Sequence, residues 1–314
     1  MSGVKKYFED NAEQWILNGY GDDGYNYPTA FHRVRIVSRF ISSLNKKKLK
    51  IIDLACGGGD LACRLASDGH IVTGIDQSQK MLDIAESRRK ELPKKIQNNI
   101  KFLRGEIGNK LDLGGQFDAV AAMGIIGYLP NDKIIFNAAN SLLKSGGYFL
   151  ISCRNRLFNM VSIGKRTEKE VKNKGAIKLI REIGALYDKV SAKDAERFVK
   201  NFKKIAAGLP EKMSFDKKSM LSPAEKYAPY ISTLDVEPRQ NMPDELKKTA
   251  LKCGFKHRAY YGVHPHLMDP NLNKMLPPRL FNKISGCLEA LEHLPMSLAW
   301  SSVFIGVFQK SKRR

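Results

Sequence analysis

Histidine, tryptophan and cysteine are scarce in these 314 residues, at six, two and five copies. The cysteines (Cys56, Cys63, Cys153, Cys253, Cys287) form no CxxC pair and no zinc-type spacing. Their odd number and scatter suggest reduced thiols in a cytoplasmic protein. Long apolar runs are missing too. The most apolar stretch, Ala119 to Leu129, is too short and too glycine-rich to span a bilayer. No apolar h-region opens the sequence, so no signal peptide is expected. There is no internal repeat. Acidic residues are few, 32 against 53 lysines and arginines, a net charge of +21. Residues 1–44 are neutral, whereas 156–231 carry 18 basic and nine acidic residues. A basic face can attract nucleic acid, an anionic membrane or phosphorylated small molecules. The lysines lie among acids without aromatic interleaving, which favours plain solvated helix faces.

What is present centres on Ile51-Ile52-Asp53-Leu54-Ala55-Cys56-Gly57-Gly58-Gly59-Asp60. An apolar β-branched run enters a glycine triplet, and Leu61 to Ala66 follow with helical spacing. That predicts a strand, a tight turn and a helix. Glycines let backbone approach a ligand, and the helix start offers free N–H groups. A second strand, His70 to Asp76, ends in a carboxylate 23 residues after Asp53. An acid at that separation can accept hydrogen bonds from ribose hydroxyls. Gly57-x-Gly59-x-x-Ala62 also fits a loose dinucleotide pattern. Against it, a carboxylate at Asp53 would repel a diphosphate and suits an ammonium group.

The run Asp53 to Gly59 closely resembles motif I of class I S-adenosylmethionine (SAM)-dependent methyltransferases. The resemblance covers about residues 45–155 well and the end of the chain more loosely. It implies a doubly wound α/β fold with a mostly parallel, seven-stranded Rossmann-like sheet. It places Asp53, Ala55, Cys56, Gly57 and Gly59 along the amino-acid part of SAM, and Asp76 with Gln77 at the ribose. Glu106 and Ile107, past a third strand from Ile100, fall where the family contacts adenine. Met123, which ends a fourth strand from Gln116, is a further cofactor candidate, and Gly124 to Pro130 fall where the family places residues beside the reactive methyl, with Tyr128 lining that space.

The flanks complete the expected organisation. Residues 1–44 read as a helical lid: a helix from Val4 to Leu17, a tyrosine- and glycine-rich loop, and a helix N-capped by Thr29. Tyr20, Tyr25, Tyr27, His32 and Arg33 are its candidates to face the pocket, with Arg33 also suited to the SAM carboxylate. A helix from Asp132 to Leu143 and a turn at Lys144–Gly147 lead to a fifth strand, Tyr148 to Cys153. Arg154 at its end is a candidate for an anionic substrate group. Residues 156–231 are expected to form a basic helical insertion capping the substrate side. The core spans 45–155 and 232–314, with a sixth strand from Lys256 to Val263 and an antiparallel last strand from Ser302. His264-Pro265-His266, Leu276-Pro277-Pro278, Phe281-Asn282 and Trp300 resemble a branch associated with bacterial small-molecule and surface-glycan pathways.

Methyl transfer is an in-line displacement in which positioning supplies most of the acceleration. A high-pKa oxygen or nitrogen acceptor also needs a base. His264 and His266, flanking a proline at the active rim, are the candidates, with His32 as a third. No carboxylate cluster calls for a catechol-type metal. The expected activity is SAM-dependent methylation of an O or N atom on a metabolite, sugar or glycan precursor. The alternatives are an RNA methyltransferase, favoured by charge but lacking an Asn-Pro-Pro-Tyr-type motif, and a non-catalytic SAM- or nucleotide-binding regulator. A nicotinamide oxidoreductase is the fourth reading.

Overall fold

A computed structural model describes residues 2–20, 27–107, 113, 116–207, 237–266 and 278–312. The N-terminal segment forms α1 (Ser2–Asp10), α2 (Ala12–Tyr20) and α3 (Thr29–Ser43). The single helix expected over 4–17 is broken at Asn11, whose side-chain amide donates to the Tyr7 carbonyl at 2.9 Å. Such local bonding competes with a straight helix. Thr29 is the first helical residue rather than its N-cap, which is Pro28.

The strand–turn–helix units then alternate. They are β1 (Lys50–Leu54), α4 (Asp60–Ser67), β2 (Ile71–Asp76), α5 (Gln79–Glu91), a short α6 (Lys94–Gln97) and β3 (Ile100–Arg104). After β4 (Phe117–Met123) come α7 (Asp132–Leu142) and β5 (Leu143–Arg154). The turn expected at Lys144–Gly147 is absorbed into β5, with a register shift opposite Phe117 and Ala119 and Gly146 at φ 77°. The insertion supplies α8 (Lys165–Lys172), α9 (Ala176–Tyr187) and α10 (Ala192–Ala207). The chain closes with α11 (Pro243–Lys252), β6 (Phe255–Pro265), α12 (Pro278–Cys287), α13 (Ser297–Trp300) and β7 (Ser301–Lys310).

Among the described residues, seven strands form one sheet in the order β3-β2-β1-β4-β5-β7-β6. β1 to β5 pair in parallel, and β7 runs antiparallel between β5 and β6. Alternate residues feed opposite layers, as strand geometry demands. Ile52, Val120 and Phe149 pack towards α7, α9 and α11, while Ile51, Ala119 and Leu150 pack towards α3 and α4. The insertion packs partly as its periodicity predicts. Leu179 and Leu186 are buried and Ile183 partly so, but Ile180 and Tyr187 of the same helix face outward.

Ser78 ties the fold to the site. Its Oγ caps α5 by accepting from the Met81 N–H at 3.2 Å and donates to Glu9 of α1. Ser78→Ala is expected to lower stability by about 1 kcal/mol, readable in urea unfolding. A change near zero would mean that the cap is dispensable.

Candidate active site

All parallel strands end at the same sheet edge, and the crevice there is where open α/β sheets bind ligands. A cleft with about 700 Å³ of empty space, its mouth included, lies on this edge. That is ample for a nucleoside-sized ligand. Ala55 and Gly57 from the loop after β1, and Asp76 and Gln77 from the end of β2, line one wall. Glu106 and Ile107 continue it, and Met123, Gly124 and Tyr128 close the far end after β4. A smaller cavity shares Trp15, Ala55, Gly57 and Met123 with the first and adds Arg33, Asp53 and Cys56. The cofactor residues expected from sequence are thus brought together, apart from Gly59, which lines neither cavity.

Gly59 acts behind the loop. Its φ is 77°, and an added Cβ would lie 2.7 Å from the Phe102 ring and 2.8 Å from Ala85. Glycine alone lets the turn sit against β3 and α5 in this left-handed conformation. Ala55 at φ 58° and Gly57 at φ 51° share that handedness, so the loop is held in an unusual path.

The electrostatics divide the cleft. Asp76 accepts the Gly57 N–H at Oδ2 and the Ser78 N–H at Oδ1, both at 2.9 Å. Burial raises its pKa, opposed by these backbone donors. Each oxygen keeps lone-pair capacity for a hydroxyl donor. Asp53 is different. It is 2% exposed, and its Oδ1 has no hydrogen-bond partner. Burial pushes its carboxyl well above the ordinary range, and the Asp76 and Asp60 charges add to this. A cationic group placed against it would supply the missing donor. Arg33 lines the same small cavity, with Nη1 donating to Ser152 Oγ at 3.4 Å. One end of the cleft therefore offers both a buried carboxyl, which a cation placed against it would hold ionised, and a guanidinium, the complement of an α-amino acid.

The first two helices roof the cleft. Phe8 and Trp15 line it, 5.9 Å apart edge to face, and Phe8 meets the Tyr128 ring at 5.7 Å. Gly58 makes room for the roof, since a Cβ there would lie 2.4 Å from Ile16 Cδ1. Sequence reasoning placed Phe8 and Trp15 in the first helix but not in the site. An aromatic pair seven residues apart is a helical-face signal, yet nothing local says which face it covers.

The lid and rim candidates are placed elsewhere. Tyr25 and the Tyr20 side chain lie outside the described residues. Tyr27 is buried, donates to Glu289 Oε1 and stacks on His264 at 4.3 Å between ring centroids. His32 Nε2 lies 2.6 Å from the same Glu289 oxygen. His266 packs between Phe158 and Phe281, and neither of its ring nitrogens has a partner. None of the three histidines lines either cavity. The reason is strand order. β7 inserts between β5 and β6, so His264 and His266 sit three strands from β4, roughly 14 Å away. His264 takes φ 55°, a strained value for a residue other than glycine. Arg154 is exposed at the end of β5, outside both linings. The described part of the insertion, 156–207, contributes nothing to either lining. Its helices pack instead on the turn after β5 and on α12 and α13. Among the described residues no group of three His, Cys, Asp or Glu side chains is arranged to hold a metal.

The fold and cleft have relatives. A family model described as a methyltransferase domain matches residues 45–205, just over half of the chain. Ubiquinone biosynthesis O-methyltransferase of Dechloromonas aromatica is 32% identical over 124 residues, 40% of this chain and 51% of that protein. The same-named protein of Vibrio atlanticus is 30% identical over 110 residues, 35% and 45% of the two chains. The chain thus spans about half the length of these curated relatives. Among solved structures, magnesium protoporphyrin IX methyltransferase from Synechocystis PCC 6803 with bound SAH is similar over 99% of both chains. Its TM-score is 0.56 at 15% identity. A cyclase shares the fold at a TM-score of 0.52 and 14% identity, over 99% of this chain and 96% of that one. The matched residues include the five parallel strands, the glycine turn after Asp53 and the acid Asp76 at the end of β2. The chain belongs to the class I SAM-dependent methyltransferase family.

Proposed function

We propose that the protein transfers the methyl group of SAM to an oxygen or nitrogen atom of a small or medium-sized acceptor, with metabolites, sugars and glycan precursors as the class. The observation that carries this is the unpartnered carboxylate oxygen of buried Asp53 beside Arg33, at one end of a cleft whose middle holds Asp76. Bound SAM supplies an electrophilic methyl on a sulfonium centre. Asp53 and Arg33 hold its ammonium and carboxylate, Asp76 accepts its ribose hydroxyls, and Glu106 and Ile107 flank its adenine. Phe8 and Trp15 exclude water from above. Gly124 leaves room for the Arg33 guanidinium, 2.7 Å from where a Cβ would stand, and Tyr128 borders the acceptor space beside Met123. In this reading His32 and His264 position the lid, through Glu289 and Tyr27, rather than meeting the acceptor. The names of the ubiquinone relatives support an O-methyl acceptor of small-molecule type.

Isothermal titration calorimetry with SAM tests the cofactor placement. Asp76→Ala is expected to weaken binding by about 1–3 kcal/mol through lost ribose hydrogen bonds. Unchanged affinity would remove Asp76 from the site. Transfer of labelled methyl into a fractionated extract tests the acceptor, with label expected among small molecules or glycan precursors. Label confined to RNA would instead favour the reading suggested by the +21 charge. Tight SAM binding with no label in any fraction would favour a non-catalytic role. The four described cysteines are free thiols, which supports a cytoplasmic setting.

A further inference from the structure

The outer surface of the insertion breaks the usual rule for exposed side chains. Among the described residues nine large hydrophobic side chains are exposed, and seven of them fall between Ile163 and Phe202. They do not arise from one misplaced turn. Ile177, Ile180 and Tyr187 of α9 stand 64%, 55% and 49% exposed, while Leu179 and Leu186 of the same helix are buried. At 100° per residue, the three exposed side chains form a second apolar arc beside the core-facing one. The next helix repeats the arrangement. Phe198 of α10 packs with Trp300 against the Leu288–Leu294 cluster, while Val199 and Phe202 point outward.

The polar arcs of these helices are cationic. Residues 156–207 carry 14 lysines and arginines against six acids. Arg181 borders the apolar arc of α9, Lys189 follows just past the end of that helix, and Lys193 and Lys200 lie about 100–120° round α10 from Val199. All four are exposed. Exposed aliphatic side chains bordered by lysines match the chemistry of an anionic membrane surface. The apolar arc enters the acyl boundary while the cations meet phosphate headgroups. A protein partner fits less well, because interface cores are depleted of lysine. An RNA partner fits less well too, since stacking needs aromatic faces and most of these side chains are aliphatic. No described helix is long and apolar enough to cross a membrane, so the contact would be peripheral.

We propose that the insertion docks the protein on anionic phospholipid membranes through α9 and α10. The proposal does not depend on the methyl-transfer reading. The turn that receives α9, Leu157–Met160, follows β5 at the same sheet edge as the cleft. Docking would therefore bring the membrane to the edge on which the cleft opens.

The test is co-sedimentation of the full chain with vesicles of phosphatidylglycerol and phosphatidylcholine, against vesicles of phosphatidylcholine alone. Binding to the anionic vesicles is expected, at least tenfold weaker on the neutral ones and weakened by salt. Ile177→Gln with Ile180→Gln, and separately Arg181→Glu with Lys189→Glu, should each reduce vesicle binding about tenfold or more. Both double variants alter exposed side chains, and SAM affinity and circular dichroism should match the parent. Three results overturn the proposal: no binding to either vesicle, equal binding by both double variants, or capture of a 30-nucleotide RNA without vesicle binding. A concentration-dependent dimer that the Ile177 and Ile180 changes abolish, without any vesicle binding, overturns it as well.

Discussion

Between pH 6.5 and pH 4 the fold should lose stability steeply, and histidines rather than carboxylates should dominate the loss. Burial lowers the His266 pKa to about 4, and its surroundings supply no compensating acceptor. His264 is held well below the ordinary imidazole range by burial and by the neighbouring His266 and His32 rings. His257, half-buried against Tyr260 and Phe308 and near Lys247, is also lowered to about 4, mainly by burial. The unfolded chain takes up protons near pH 6.5, whereas the folded chain refuses them until about pH 4. Stability is thus fully present above pH 6.5 and falls as the pH drops through this window. For His266 alone the linkage amounts to about 3 kcal/mol. Buried Asp53 and Asp76 oppose the trend, because their raised pKa values favour the folded state as they protonate. Melting temperature across pH 7.5 to 4.5 reads the sum. His266→Leu isolates one contributor, since its neighbours Phe158 and Phe281 accept an apolar side chain. That variant should melt above the parent at pH 5 and show a flatter pH profile. A profile parallel to the parent's would show that His266 is not titrating in the window.

Asp53→Asn should separate stability from ligand affinity. The carboxylate is buried with one oxygen unpartnered, so it costs the ligand-free fold solvation energy. The amide removes the charge at nearly constant volume. The ligand-free variant is expected to be more stable by about 1–2 kcal/mol at pH 8, where the native carboxylate is most penalised. SAM affinity should fall by about 2–3 kcal/mol, roughly 30- to 150-fold, because a charge-assisted contact to the ammonium is lost. Urea unfolding and calorimetry on the same variant measure the two signs. A variant destabilised without ligand, yet binding SAM as tightly as the parent, would contradict the assignment of Asp53 to the cationic end. The pairing of raised stability with weakened binding distinguishes a functional strain from a structural one.

The parts of the site legible in the sequence are those built within a few residues. Asp53, the glycine turn, Asp76 and the Ser78 cap follow one another along two β–α units, and the residue types fix their geometry locally. Glu106, Ile107 and Met123 were legible for the same reason, each marking the end of a recognisable strand. Phe8 and Trp15 were not, because their place in the cleft depends on how α1 and α2 dock over residues more than a hundred positions later. The histidines show the converse case. Sequence put His264 and His266 at the end of β6, and they are there. Their distance from the cleft was set by β7 pairing between β5 and β6, a choice that no local pattern encodes. The acids that hold this rim were invisible for the same reason. Glu289 receives Tyr27 and Arg35, and Glu292 receives Arg35 and Arg39, across more than 250 residues of chain.

The aromatic roof also has a consequence for biogenesis. Ala12 and Ile16 are buried in a cluster with Met81 of α5, with Phe8, Trp15 and Ile84 packed against it. During synthesis α1 and α2 emerge well before α5. Until Met81 and Ile84 of α5 have left the ribosome, Phe8 and Trp15 lack the surface on which they settle. The roof is therefore a segment that waits in the nascent chain, with its apolar face available to chaperones. A chain truncated before α5 should leave that face permanently uncovered.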